Sequence, residues 1–330
     1  MRKYIKYGIW LLLPVFLLLG CGGPQEALPA ESTVIQTEAE PVPLADIPAQ
    51  TAAAETTVPE TRPVPVIPAA QAPGTQTACC DDAVIDYSNA AGGYVMVRYG
   101  SAAENRLKVQ VKGPTATYTY DLPPQEWVVL PLSDGNGSYQ VGIYENMGGT
   151  RYAKVLTASF QVSLTDEFAP FLRPNRYVNY DADSDAVAVG LEVTVGLEAP
   201  LDKVAAVYEF VIGTLSYDFD KAASVQSGYI PDPDRILAEK KGICFDYAAL
   251  MTAMLRSQQI PCKLVVGYAG STYHAWISVW TEETGWIDGF LFFDGHSWQR
   301  MDPTFASSAG GDEAILNFIK NGTYTEKYLY

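Results

Sequence analysis

Between residues 82 and 165 apolar and polar residues alternate. Leu107, Val109 and Val111 fall on one face, against Lys108, Gln110 and Lys112 on the other. Tyr139, Val141 and Ile143 repeat the pattern, as do Phe160, Val162 and Leu164. A period of two belongs to a strand with one buried face. Gly113-Pro114, Pro123-Pro124 and Asp134-Gly135 separate the runs with turn chemistry. About seven such runs predict a small antiparallel, Ig-like β-sandwich over 82–165. No candidate chemistry falls within it, so its expected role is that of a spacer or docking module.

From about residue 184 the period changes. Val204, Val207, Tyr208 and Val211 recur at i, i+3, i+4 and i+7, which predicts an amphipathic helix over 201–215. A short helix is expected over 233–240. A third follows Cys244, with Tyr247, Met251, Met254 and Leu255 on one face, and stops before Pro261. CKLVVGY (262–268), HAWISVW (274–280) and SWQRMDPTF (297–305) read as strands, and Asp294-Gly295 as a hairpin turn. The terminal stretch 311–330 reads as one short helix and a closing strand. Residues 166–330 are thus expected to form an α+β domain, helices first and an antiparallel sheet after.

The chain begins differently. Arg2, Lys3 and Lys6 precede the apolar run GIWLLLPVFLLLG (8–20), which is shorter than the ~20 apolar residues of a spanning helix. The run ends in Leu18-Leu19-Gly20-Cys21, which resembles a bacterial lipobox, although Leu19 is bulkier than the small residue often found there. Residues 1–21 are therefore read as a lipoprotein signal peptide with Cys21 as the lipidated residue, and an uncleaved signal anchor as the alternative. The expected location is the extracytoplasmic face of a bacterial membrane, held by a lipid anchor. Residues 22–81 are expected to be a disordered tether. Its stretch 22–78 holds ten of the 22 prolines, no aromatic residue, and Arg62 as its one positive charge. Such a composition cannot offset chain entropy by burial and acts as a semi-rigid spacer.

Composition narrows the partners. The chain has 330 residues, is 48% hydrophobic and carries a formal net charge of −16. No basic run appears, which excludes the phosphate-neutralising surface of a nucleic-acid binder. Five cysteines and two histidines are present. Cys79-Cys80 could form a vicinal disulfide, pair between chains or stay free; a structural or accidental pair in a flexible region is the favoured reading. Asp181, Asp183, Asp185 and Glu192 have the spacing of a calcium loop, but Ala186 replaces the turn glycine. A helix N-cap at Ser184 or Asp185 explains the same residues.

Cys244 follows Gly242-Ile243 and opens a helical pattern. A helix N-terminus stabilises a thiolate through its unpaired N–H groups. A thiol nucleophile also needs a base, and the base a third group to orient it. Cys244, His274 and Asp302 come in that order, on a helix start and two strands, the layout of a papain-like core. Here the sequence resembles the transglutaminase-like superfamily, over about 201–305. The matching segments are LSYDFD (215–220), GICFDYAALMTAMLRSQQIPCKLVVGY (242–268), YHAWISVW (273–280) and WQRMDPTF (298–305). The resemblance implies Cys244 as nucleophile, His274 as base and Asp302 as orienting acid. It also implies acyl transfer from glutamine side chains to amines, or amide hydrolysis through the same acyl-enzyme. Tyr217 is the candidate second oxyanion donor beside the Cys244 N–H, with a buried ring as the alternative. The implied partner is a protein or peptide substrate, including cell-wall or surface proteins.

The remaining residues of these types read as structure. Asp246 is a favourable first-turn charge, Trp276 and Trp298 core residues, Cys262 a buried core thiol, and His296 a solvent-exposed turn neighbour. No cofactor or metal is implied, since the cysteine and histidine spacing resembles no zinc pattern. A Cys244–Cys262 disulfide would silence the enzyme, but a helix-start and a strand-core thiol rarely come close enough. The competing function is a non-catalytic adhesion or scaffolding module with a vestigial site.

Overall fold

The computed structural model describes residues 67–288, 290–293, 298–301 and 323–330, and between 288 and 301 the backbone alone. Cys21, the signal segment, the tether to residue 66, the Asp294-Gly295 turn, His296 and Asp302 lie outside the described residues, as does the Trp298 side chain.

Alternation produces two four-stranded antiparallel sheets. Strands β1 (Thr77–Cys79), β2 (Ala83–Asp86), β3 (Tyr94–Tyr99) and β6 (Trp127–Pro131) form the first, in that order. Strands β5 (Thr117–Leu122), β4 (Leu107–Lys112), β7 (Gly137–Asn146) and β8 (Tyr152–Val162) form the second, in that order. The chain changes sheet after β3, β5 and β6, a Greek-key path that turns both apolar faces into one core. Val109 pairs with Ile143 and Val111 with Val141, and all four are buried. The periodicity thus marks the inward face residue by residue.

The sandwich starts earlier than residue 82. β1 falls in the expected tether and pairs with β2, so Cys79 sits in a strand rather than a flexible region. Both Cys79 and Cys80 are exposed free thiols. The backbone before β1 is also held: the Gln71 N–H donates to the Tyr94 hydroxyl, Gly74 to Asp86 and Gln76 to Ser88. The physical reason is local. The prolines stop at Pro73, and from there each backbone N–H is available to pair.

Among the described residues five helices follow: α1 (Asp185–Val193), α2 (Pro200–Thr214), α3 (Phe219–Ser224), α4 (Pro233–Glu239) and α5 (Cys244–Arg256). Proline opens α2 and α4, where its missing N–H costs nothing. α2 buries Val204, Val207, Tyr208 and Val211, the predicted stripe. Short strands β9 (Ser216–Tyr217) and β10 (Lys241–Gly242) pair in parallel. Strands β11 (Cys262–Ala269), β12 (Thr272–Thr281), β13 (Gly285–Asp288) and β16 (Tyr324–Leu329) form an antiparallel sheet in the order β13-β12-β11-β16. β14 (Phe290–Phe293) pairs with β15 (Trp298–Met301). Among the described residues no helix is long and apolar enough to cross a membrane.

α5 departs from the one-faced helix expected after Cys244. Every residue from Asp246 to Arg256 is buried, because α1, α2, α4, β11 and β12 all pack on it. A helix apolar nearly all round is a core helix. At the start of α1, Ser184 occupies the N-cap but its side chain does not cap the helix. The carboxylate of Asp234 on α4 accepts the Ala186 N–H instead, at 2.8 Å. Asp181 accepts from the Asp183 N–H and the Ser184 hydroxyl, closing a local turn.

The sandwich and the helix–sheet region pack into one unit. Tyr120 of β5 stacks on Tyr177 at 5.5 Å, and Tyr177 meets Tyr330 at 4.7 Å and Phe245 of α5 at 5.3 Å. Arg256 ties the ends of several segments together. Its guanidinium is fully buried and donates to the backbone oxygens of Cys262, Arg173 and Tyr330. Burial lowers its pKa, opposed by Tyr180 and Cys262. Replacing it by Met leaves three acceptors without these donors. Arg256→Met is expected to lose at least about 3 kcal/mol in urea unfolding, with Arg256→Lys intermediate. A loss below about 1 kcal/mol would show that water satisfies these carbonyls.

Candidate active site

The approach to Cys244 is built from backbone. Lys240 ends α4 in the left-handed region at φ 51°. The chain then runs as β10, with Gly242 opposite Tyr217 of β9. The Ser216 N–H donates to the Lys240 carbonyl at 3.0 Å and the Asp218 N–H to the Gly242 carbonyl at 2.9 Å. Tyr217 and the residues leading to Cys244 therefore share one ladder. Ile243 is extended, and Cys244 is the first residue of α5.

Asp246 lies one turn further, and it is wholly buried. Its carboxylate accepts the Ile243 N–H at 2.9 Å, the Tyr229 hydroxyl at 2.6 Å and Lys221 Nζ at 2.5 Å. Lys221 Nζ also donates to the Tyr229 oxygen at 2.6 Å. Lys221 sits in α3 and Tyr229 in the following loop, so one carboxylate pins three segments around the start of α5. A side chain at Gly242 would meet Asp246 Cβ at 2.6 Å, which is why glycine stands there. Burial opposes the charge on Lys221, but the bonds to Asp246 and Tyr229 and the Asp246 charge outweigh it. Its pKa is therefore raised above the ordinary lysine value. Burial, then the bond to Asp246, raises Tyr229 as well. Asp246 had read as a simple first-turn charge. Lys221 and Tyr229 carry no motif that announces them, and only the fold brings them to it.

His274 stands on β12 opposite Gly267 of β11 and is nearly fully buried. Trp276, two residues on and buried as expected, stacks beside its ring at 6.2 Å. A Cβ on Gly267 would lie 2.1 Å from the Thr325 carbonyl and 2.8 Å from the Trp276 ring. Glycine thus admits β16 and the indole together.

Cys244, His274 and Tyr217 line a single cleft of about 490 Å³, within the ordinary ligand-site range of ~300–1,000 Å³. Tyr177, Tyr229, Phe245, Tyr273 and Tyr330 supply its aromatic walls. The fold brings together three of the four catalytic candidates here; the fourth, Asp302, lies outside the described residues. Tyr217 is half-buried and packs edge-on against Phe219 at 4.9 Å. Cys262 is a free buried thiol, its pKa pushed up to about 11 by burial, against Arg256 and a Thr252 hydrogen bond. Cys244 is free as well. Among the described residues no group of three or more His, Cys, Asp or Glu is placed to hold a metal ion.

Residues 187–303 match the model of the transglutaminase-like superfamily. A curated relative, the UPF0252 protein MJ1282 of Methanocaldococcus jannaschii, is 29% identical over 102 residues. That match takes in 27% of this chain and 28% of the relative, so the chain spans just over a quarter of the relative's length. The chain is similar to the solved structure of a "putative cysteine protease" from Cytophaga hutchinsonii, at 15% identity and a TM-score of 0.34, over 72% of this chain and 84% of that one. It is also similar to red sea bream transglutaminase, at 13% identity and a TM-score of 0.26, over 71% of this chain and 56% of that one.

The Lys221–Asp246 pair makes a stability prediction. Lys221→Met strands a buried carboxylate and is expected to cost about 3 kcal/mol, at the low end for such pairs because Tyr229 and Ile243 still donate. Lys221→Met with Asp246→Leu should cost less than Lys221→Met alone. Because the folded lysine pKa is raised, the pair's contribution is complete below the unfolded value of about 10.4. It is lost as pH climbs through the folded value. Urea unfolding of the three proteins from pH 7 to 11 checks this. A double variant less stable than the single would mean the carboxylate is not held as a charge.

Proposed function

We propose, from the transglutaminase-like domain that residues 187–303 form, that this protein is a thiol enzyme acting on amides of proteins or peptides through an acyl-enzyme on Cys244. One observation carries the reading: the first residue of a buried helix is a cysteine, and it shares a cleft with a buried histidine. In that arrangement the imidazole is the base that takes the thiol proton.

In this mechanism Cys244 Sγ attacks the substrate carboxamide carbon while His274 accepts the thiol proton. The tetrahedral oxyanion is held by the Cys244 backbone N–H and, in our assignment, the Tyr217 hydroxyl. The C–N bond then breaks, the imidazolium returns the proton to the departing nitrogen, and a thioester remains on Cys244. An acceptor attacks the thioester, His274 removes its proton, and the thiolate leaves and is reprotonated. Water as acceptor gives hydrolysis, and a primary amine gives transfer. Asp302 is assigned to orient His274 and stabilise its cation. In this reading the enzyme works on the extracytoplasmic face of the membrane with Cys21 as its lipid-bearing residue, which the lipobox-like Leu18-Leu19-Gly20-Cys21 supports.

Two experiments test this reading. On a soluble chain beginning at Ile67, iodoacetamide should label Cys244 while the buried Cys262 stays unlabelled, and His274→Ala should slow Cys244 labelling. The same variant should lower kcat/KM on glutamine peptides by about 10²–10⁴-fold, and Cys244→Ala should abolish turnover while folding normally. Equal labelling of Cys244 with and without His274 would defeat the nucleophile–base assignment. Adding a primary amine separates transfer from hydrolysis by product mass. For the anchor, cells fed a labelled fatty acid should incorporate it into the full chain and not into Cys21→Ser. Incorporation unchanged in that variant would remove Cys21 from the role.

A further inference from the structure

Eight large hydrophobic side chains are exposed among the described residues, and four of them gather at the Cys244 cleft. Tyr273 and Val225 line it directly. Phe219, 68% exposed, packs edge-on against Tyr217, a lining residue. Tyr268 packs edge-on against Tyr273, at 5.5 Å. Two segments supply them: α3 with its exit gives Phe219 and Val225, and the β11–β12 hairpin gives Tyr268 and Tyr273. A cluster of exposed apolar groups marks a surface that meets something. The cleft has a second property. None of its described lining residues is Asp, Glu, Lys or Arg, in a chain whose net charge is −16.

We propose that this rim selects the substrate: an extended, uncharged peptide segment with bulky aromatic or aliphatic residues beside the acyl-donor residue. The proposal rests on the thiol-enzyme reading above. Tyrosine and phenylalanine rims offer large contact area with few rotamers to freeze, and they favour offset or edge-on contacts with incoming rings. An acidic flank would shed its water against aromatic walls without meeting a cation from the described lining, and it would approach a negatively charged chain. Specificity then comes from the apolar contacts that the rim presents.

The test uses one glutamine peptide in three forms, flanked by Phe and Leu, by Ser and Gly, or by Asp and Glu. Binding is read by fluorescence anisotropy on Cys244→Ala, and turnover on the wild-type protein. Aromatic flanks are expected to bind about tenfold more tightly than Ser and Gly, a contact of ordinary hydrophobic size, with acidic flanks weakest. Phe219→Ala and Tyr273→Ala, both at exposed positions, should each shrink the aromatic-to-serine ratio severalfold. Equal affinity across the three peptides, or a preference for acidic flanks, overturns the proposal even if turnover is seen. Aromatic-selective binding without turnover of any peptide would leave the rim as a peptide-binding surface and remove the enzyme reading instead.

Discussion

A carboxylate without access to water sets the position of the thiol. Asp246 carries a carboxylate into a site where, among the described residues, Ile243, Tyr229 and Lys221 meet it. A shift of α5 by one residue would leave that charge without its donors, and stranding a buried ion costs more than the pair itself contributes. The network therefore works as a register pin. It fixes α5 against α3 and the loop to Tyr229, and it leaves Cys244 at the helix end with one geometry. Gly242 belongs to the same constraint, since any side chain there would occupy the space of Asp246. Tyr229 joins the pin to the cleft, for it both donates to Asp246 and lines the cavity.

The elements were legible where a residue pattern reports a single environment. The alternation of Val109 and Val111 marks a sandwich face, and the stripe Val204, Val207, Tyr208, Val211 marks α2. Cys262, in an apolar strand, is the buried thiol that its neighbours imply. The glycine turn at Gly242, followed by the helical apolar pattern from Cys244, announces a helix start. What stayed hidden needs two elements at once. An aspartate in the first turn of a helix looks the same facing water or facing Lys221, twenty-five residues earlier. α5 looked one-faced because Asp246, Thr252 and Arg256 interrupt its apolar pattern; in the fold Thr252 returns its hydroxyl to the Ala248 carbonyl, and Arg256 donates to backbone. The start of β1 was masked by a tether composition that ends sooner than its neighbourhood implies, at the last proline, Pro73.

The end of the alternation near residue 165 reads as a domain border, and a border suggests a spacer on one side. The packing argues otherwise. Tyr120 of the sandwich stacks on Tyr177, and Tyr177 and Tyr330 are themselves walls of the cleft that holds Cys244 and His274. Tyr118 and Tyr120 of β5 both meet Tyr330 edge-on, and Ser133 of the sandwich donates to the Leu329 carbonyl. Tyr330 in turn accepts from the buried Arg256 at the far end of α5. The two ends of the helix that presents the thiol are thus held by different means: a carboxylate pin at Asp246 and a guanidinium pin at Arg256. The sandwich backs the second of these. Without β5, the Tyr177 and Tyr330 rings would lose one packed face, and rings that wall a cleft keep their positions only when something solid lies behind them. The sandwich is accordingly a foundation of the site, which is why a pattern carrying no chemistry of its own precedes the residues that do.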